Sequence, residues 1–88
     1  MTSYLVEGYL ARASAGEPGT TAERARRIAA EFCEEGGDVQ YIRSFFLRDD
    51  ETCFHLFHGE SVEAVDQVAD RASLASQRIT EVFEWECD

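Results

Sequence analysis

The stretch that decides the fold is DVQYIRSFFLRDDETCFHLFHGE, residues 38–60. It contains two runs rich in aromatic and β-branched residues, separated by the acidic segment DDE, a pattern typical of two strands joined by a turn. We predict one strand from Val39 to Leu47 and a second over TCFHLFH, residues 52–58. The fold class then depends on what the segments on either side of this hairpin form.

Upstream of the hairpin, SYLVEGYL predicts a strand from Tyr4 to Leu10, and a small polar loop separates it from TTAERARRIAAEFCEEGG. Thr20 and Glu23 fit a capping box at the start of a helix there, and Gly36 or the glycine after it can end that helix. Cys33 is expected to be a buried packing residue. The apolar residues recur at helical spacing on one stripe: Ala25, Ile28, Ala29, Phe32 and Cys33.

Downstream of the hairpin, Ser61 is placed to cap a second helix. The apolar stripe of this helix is Val62, Val65, Val68, Ala69 and Ala72. RITEVFEWECD, residues 78–88, then predicts the last strand. The order β-α-β-β-α-β matches the ferredoxin-like arrangement. We therefore predict a single α+β domain over residues 1–88, a four-stranded antiparallel sheet with two helices on one face.

The composition is that of a small globular domain, with 44% apolar and 11% aromatic residues among 88. The formal charge of −10 argues against nucleic acid or an anionic membrane as a partner, because phosphate binding needs clustered cations. Three cysteines without CxxC spacing do not make a disulfide framework. We find no signal peptide and no run of roughly 18 apolar residues, so we expect a cytoplasmic protein with reduced thiols.

The sheet face opposite the helices must be solvated or covered by a partner. The edge strands of this fold are the second and the fourth, and apolar edges left bare invite association. Alternation places four residues of the second strand on one side: Tyr41, Arg43, Phe45 and Leu47. Three residues of the last strand also share a side: Ile79, Phe83 and Trp85. We therefore predict a homodimer whose open faces meet and can close a barrel around a cavity.

Both histidines of the chain lie in the third strand, where successive side chains alternate between faces. Cys53 and His55 therefore share one face, and His58 lies on the other and joins them only where the strand ends. The thiol and the imidazole are about 6 to 7 Å apart along the strand, within reach of one metal ion. Imidazole suits divalent transition metals. The candidate metal ligands are Cys53, His55, His58 and Glu60.

The face that His55 occupies depends on the length of the turn before the third strand. An even turn sets His55 beside Ser44 and Phe46, and His58 beside Tyr41, whereas an odd turn exchanges the faces. Three interpretations stay open for this strand: a purely structural one, a metal site, and a catalytic thiolate–imidazolium couple. No nucleophile elbow, phosphate-binding glycine loop or HExxH helix accompanies it.

A second hypothesis is a small dimeric-barrel enzyme of the monooxygenase or cyclase kind, which needs no cofactor. Its aromatic substrate cavity would be lined by Glu7, Tyr41, Phe45 and Trp85. This hypothesis rests on fold analogy, because such folds host many functions. A third hypothesis is an interaction module that pairs with a partner protein.

Three segments carry a resemblance to a known family: YLVE near the start, DVQYIRSFFLRDDET in the middle and EAVDQVADRASLASQRITEV near the end. The most specific part is the exit of the second helix, with the residues Arg71, Ala72, Leu74, Arg78 and Ile79. The chain resembles a family of small bacterial ferredoxin-like proteins, long known only as a domain of unknown function, that includes nickel-binding members.

The resemblance implies a homodimeric ferredoxin-like fold and a divalent transition metal, such as nickel, as the ligand. Val68 stands where relatives often carry a histidine, and His55 and His58 stand where relatives commonly have apolar residues. A nickel site is therefore either lost in this chain or rebuilt on the third strand. We expect a small dimeric binding protein that holds the metal through His55 or His58 with carboxylate help.

Overall fold

The chain forms a four-stranded antiparallel sheet with two helices on one face. The computed structural model describes residues 1–11 and 17–85, with the backbone alone at residues 17 and 18. The elements are β1 (Thr2–Tyr9), α1 (Glu17–Glu34), β2 (Val39–Leu47), β3 (Thr52–Gly59), α2 (Val62–Arg71) and β4 (Ser76–Val82). The strands lie in the order β2-β3-β1-β4, so β2 and β4 are the edges. This is the predicted ferredoxin-like α+β architecture.

Two parts of the predicted organisation fall outside the described residues. They are most of the loop that follows β1 and the last three residues of the segment predicted as the fourth strand. In the part of the chain that is described, no helix is both long and apolar enough to cross a membrane.

β2 and β3 form the predicted hairpin. Leu47 lies opposite Thr52 across a turn of even length, and Ser44 lies opposite His55. Phe46 takes the next place on the same side of the sheet as Ser44. The prediction for an even turn is therefore confirmed for the neighbours of His55, and it fixes which face each side chain of β3 occupies.

A β-bulge in β2 changes the face of the residues that precede it. The register shifts between Tyr41 and Arg43, so that Tyr41 pairs with Phe57 while Arg43 pairs with Leu56. One extra residue in a strand reverses the alternation of side chains. The prediction that Tyr41 shares a side with Arg43 and lies beside His58 is therefore wrong, because Tyr41 faces the helices.

α1 begins earlier than the sequence pattern indicates and ends as predicted. It starts at Glu17, so Thr20 lies in its first turn and the predicted capping box with Glu23 is wrong. At its end Gly36 has φ 98°, and the N–H of the next residue donates to the Phe32 carbonyl at 3.0 Å. Glycine adopts this left-handed conformation without steric cost, so it closes the helix.

The apolar stripe of α1 lies over the sheet, with its last position at the rim. Cys33 is exposed, and its thiol donates to the Val39 carbonyl at 3.1 Å. The prediction that Cys33 is buried is wrong, because the last turn of α1 lies beside the edge strand β2. The buried or partly buried members of the stripe are Ala25, Ile28, Ala29 and Phe32.

Ser61 caps α2 as predicted, since its Oγ accepts the N–H of Ala64 at 3.1 Å. Val62 is 41% exposed and does not join the core, because it is the first helical residue and precedes the turns that contact the sheet. The other members of the predicted stripe are buried: Val65, Val68, Ala69 and Ala72.

β1 and β4 approach each other closely at a register shift between Glu7 and Gly8. A Cβ atom added at Gly8 would lie 2.3 Å from the carbonyl oxygen of Leu74, which is far inside van der Waals contact. Only glycine therefore lets the chain that leaves α2 enter β4 at this distance from β1.

The face of the sheet opposite the helices is called the open face below. It carries the apolar side chains Leu5, Phe45, Leu47, Phe54 and Leu56 together with Glu7 and His58. Phe45 and Leu47 are 48% and 41% exposed. β4 ends at Val82, so Phe83 and Trp85 lie beyond the sheet, and the prediction that they belong to the last strand is wrong.

Removing the cap of α2 tests the local energetics. Ser61→Ala leaves the N–H of Ala64 without its acceptor, and we expect the free energy of unfolding to fall by about 1 kcal/mol. Urea denaturation measures this loss. Ser76→Ala, at an exposed position at the start of β4, is the matched control, and equal losses in the two variants would contradict a capping role for Ser61.

Candidate functional site

β3 places its two histidines on opposite faces of the sheet. His55 lies on the helix side and is fully buried, as is the neighbouring Cys53 at 3% exposure. His58 lies on the open face, opposite Ser3 of β1, with its side chain 32% exposed. Glu60 follows the strand, and its carboxylate accepts the N–H of Asp38 at 3.3 Å. The four candidate metal ligands are thus divided, because the sheet separates His55 from His58.

His58 forms a cluster of three polar side chains on the open face, together with Ser3 and Glu84. Nε2 of His58 lies 2.7 Å from Oε2 of Glu84, and the Ser3 hydroxyl donates to the same oxygen at 2.6 Å. A carboxylate can only accept, so the imidazole donates its Nε2 proton to Glu84. The two hydrogen bonds, from Ser3 and from His58, hold the pKa of Glu84 below its usual range.

The position of Glu84 follows from the end of β4. Val82 pairs with Ser3 on β1, and beyond it the chain carries Glu84 over β1 towards β3, where His58 stands. The cluster borders an open cavity of about 460 Å³. The residues that line this cavity are Met1, Thr2, Ser3, His58, Glu81, Val82, Phe83 and Glu84.

On the helix side, His55 is the inner end of a partly buried hydrogen-bonded series that continues through two hydroxyl groups. Its Nδ1 lies 2.6 Å from the Ser44 hydroxyl, which lies 2.6 Å from the phenol oxygen of Tyr41. The bulge in β2 brings Tyr41 onto this face, and without the bulge Tyr41 could not join this series of hydrogen bonds. Nε2 of His55 is buried and has no hydrogen-bond partner among the described residues.

The electrostatic environment keeps the two ionisable side chains of β3 on this face, Cys53 and His55, neutral. Burial lowers the pKa of His55 to about 4, and the positive charge of Arg24 lowers it as well. Burial raises the pKa of the Cys53 thiol. A thiolate–imidazolium couple needs the opposite shifts. Both side chains are therefore neutral at neutral pH, which does not fit the predicted thiolate–imidazolium couple.

The four residues predicted to line a substrate cavity do not come together within a single subunit. Glu7 lies on the open face and accepts a hydrogen bond from Arg78 at 3.0 Å, and Phe45 lies on the same face. Tyr41 lies on the helix side, and Trp85 is 84% exposed beyond β4. The aromatic neighbour of Tyr41 is Phe57, at 5.8 Å between ring centroids.

The sequence predicted His58 as a metal ligand but did not predict its contacts with Ser3 and Glu84. Ser3 could have been found, because the antiparallel pairing of β1 with β3 sets it opposite His58. The terminal segment VFEWECD offered Glu84 as an oxygen donor, but its contact with His58 had no comparable signal, because that contact depends on where β4 ends and how the chain then turns. Among the described residues no three side chains from histidine, cysteine, aspartate and glutamate lie close enough to hold a metal ion.

The fold and this cluster define a ferredoxin-like protein with an imidazole–carboxylate pair on the open face of its sheet. The chain belongs to the SCO4226-like family, described as nickel responsive protein SCO4226-like, whose model matches residues 9–82. The family resemblance predicted from the sequence is thereby confirmed. No curated protein matches the chain.

A solved structure agrees with the fold. The crystal structure of SCO4226 from Streptomyces coelicolor A3(2) superposes with a TM-score of 0.76 at 18% sequence identity, over 96% of this chain and 99% of that one. At this identity the likeness shows the shared fold alone.

The buried imidazole predicts a pH dependence of stability. The unfolded chain protonates His55 near pH 6.5 and the folded chain only near pH 4, so stability is complete above the higher value and is lost as the pH falls between the two. For this residue the loss reaches about 2 kcal/mol at pH 5 relative to pH 8.

Urea unfolding at pH 8 and pH 5 measures this loss. His55→Gln removes the titrating group. The change in its free energy of unfolding between pH 8 and pH 5 should therefore be smaller than that of the wild type by about 2 kcal/mol. Ser76→Ala, at an exposed position that carries no titrating group, is the control and should keep the wild-type difference. Identical pH dependence in all three proteins would contradict a buried neutral His55.

Proposed function

We propose that the protein is a homodimeric binding protein for a divalent transition metal such as nickel, with His58 and Glu84 as ligands. One observation carries the proposal: the imidazole Nε2 and the carboxylate Oε2 lie 2.7 Å apart on a partly exposed surface. The family, described as nickel responsive, supports the choice of metal.

The chemistry of the pair fits a borderline divalent ion. Imidazole nitrogen and carboxylate oxygen are both ligands of such ions, and neutral His58 can bind through Nε2 once its proton lies on Nδ1 instead. Adjacent ligand atoms on an ion with bonds of about 2.1 Å stand about 3 Å apart, close to the observed separation. The Ser3 hydroxyl would hold the carboxylate in place from outside, as neighbours of metal ligands commonly do.

Two ligands from one chain are too few, and a second copy of the chain supplies the remainder in this proposal. A twofold interface repeats the same patch on both subunits. If the open faces meet, each subunit brings one imidazole and one carboxylate, which together give four donors. The exposed apolar side chains of the open face, among them Phe45 and Leu47, support this mode of association.

The pair on the helix side is a weaker candidate for the same metal. Cys53 and His55 are buried with the positive charge of Arg24 close enough to lower the pKa of His55. The same charge disfavours a further cation. A metal ion there would also have to lose its water in a closed core, whereas the surface around His58 is open to it.

The enzyme alternative finds no support in the comparisons, and the residues proposed for its cavity lie on two faces of the sheet. Tyr41 is directed to the helices and Phe45 to the open face. A substrate site on the open face would therefore lack the phenol group on which that hypothesis relied.

Native mass spectrometry with added nickel tests the proposal. We expect the wild-type dimer to gain discrete nickel masses, and His58→Ala and Glu84→Gln each to lower nickel affinity at least tenfold, since each removes a ligand in both subunits. The matched control is Glu60→Gln, which changes an exposed carboxylate beside β3 without touching the cluster.

Two results would contradict the proposal. The first is a wild-type protein that takes up no nickel, zinc or cobalt at micromolar concentration. The second is uptake that survives in His58→Ala and disappears in His55→Gln, which would move the site to the helix side of the sheet.

A further inference from the structure

We infer that residues 83–85 form an arm that couples dimerisation to metal binding. In this inference Phe83 and Trp85 pack on the open face of a second copy of the chain, while Glu84 between them binds the metal. The inference rests on the proposed function and adds the partner surface, the residues that contact it and the reason why the two events depend on each other.

The two aromatic side chains of the arm are the most exposed large apolar groups among the described residues. Phe83 is 77% exposed and Trp85 is 84% exposed. Their ring centroids lie 6.3 Å apart, so they form one aromatic surface rather than two separate ones. Tryptophan and phenylalanine in such pairs contribute strongly to protein interfaces.

The arm is attached to the sheet through the residue between the two rings. The Glu84 carboxylate accepts hydrogen bonds from Ser3 and His58, on β1 and β3 respectively. The backbone of the arm is thereby held at one end of the open face while both rings remain in solvent. An arm ordered before association loses less conformational entropy when it binds.

The area of the open face shows why the arm is needed. Four strands at about 4.8 Å spacing and eight residues of about 3.3 Å rise give a face of only about 500 Å². A stable interface needs about 800 Å² on each partner. Two aromatic side chains of about 150–250 Å² each make up the difference. The footprint of the sheet is therefore small, and Phe83 and Trp85 enlarge the surface that a second copy can cover.

The charges of the open face favour a second copy over other partners. The chain has a formal charge of −10, so most of its surface repels another copy. In the strands of the open face and in the arm, two arginines stand against two glutamates: Glu7, Arg43, Arg78 and Glu84. This face is therefore close to neutral when histidine is uncharged, and it carries both signs of charge, as a self-complementary interface requires.

The position of Glu84 links the two binding events. A metal bound by this carboxylate and by the ligands of the second copy ties the arm, with its two rings, to that copy. By thermodynamic linkage, dimerisation must then raise the affinity for the metal by the same factor by which the metal raises the affinity of the dimer.

Trp85 is the single tryptophan of the chain, so its fluorescence reports on the arm directly. We would follow its emission during dilution of the wild-type protein, with and without nickel chloride. We expect a shift to shorter wavelength in the dimer and a dimer dissociation constant that nickel lowers about 5- to 150-fold. Sedimentation velocity gives the dissociation constant independently.

The double variant Phe83→Ala with Trp85→Ala tests the contact itself. We expect it to dimerise at least tenfold more weakly by sedimentation velocity and to bind nickel more weakly, with an unchanged far-ultraviolet circular dichroism spectrum. Val62→Ala is the matched control, because it shortens an exposed apolar side chain on α2, on the opposite side of the sheet.

The outcomes separate the inference from the proposed function. Two results would contradict the role of the arm but not the proposed metal site. One is nickel uptake at His58 with an unchanged dimer dissociation constant, and the other is a double variant that dimerises like the wild type. A protein that stays monomeric with bound nickel also overturns the arm. A dimer that takes up no metal removes the proposed function, and with it the coupling inferred here.

Discussion

The register of β3 is the constraint on which the rest of the structure depends. Its side chains alternate between a buried face and an open face, so a shift by one residue would bury His58 and expose His55. The hydrogen bond between Ser44 and His55 holds the hairpin in its present register from inside the core. Phe57, two residues further along β3, is also fully buried, and it packs the same face of the strand against the helices.

Two histidines three residues apart therefore have different chemistry. His55 loses its solvent, and burial lowers its pKa until it is neutral at any physiological pH. His58 keeps part of its solvent and gains a carboxylate neighbour. Both environments follow from the alternation of side chains between the two faces of a strand. One strand thus contributes a neutral polar group to the core and a candidate ligand to the surface.

Much of the fold could be predicted because it follows from local patterns. The hairpin, the two amphipathic helices and the cap at Ser61 depend on residues close in sequence, and their predictions are confirmed. The bulge before Arg43 could not be predicted, since the strand pattern continues through it without an interruption. That single extra residue places Tyr41 on the helix side, away from Phe45, with which it was predicted to line one cavity. The Glu84 contact was beyond local reasoning for a different reason, because it joins distant parts of the chain.

The distance along the chain between Ser3 and Glu84 has a consequence for how the protein folds. These residues meet although they are 81 positions apart, whereas Ser44 and His55 of the hairpin are only 11 apart. Closing the longer loop costs about 2 kcal/mol more chain entropy, so the hairpin can form early and the pairing of β1 with β4 comes late. The close approach of β1 and the chain that enters β4, which requires glycine at Gly8, forms in this late step. The His58 cluster is therefore absent from any partly folded intermediate that lacks β4, and such a species exposes β1 as an unpaired edge that favours aggregation.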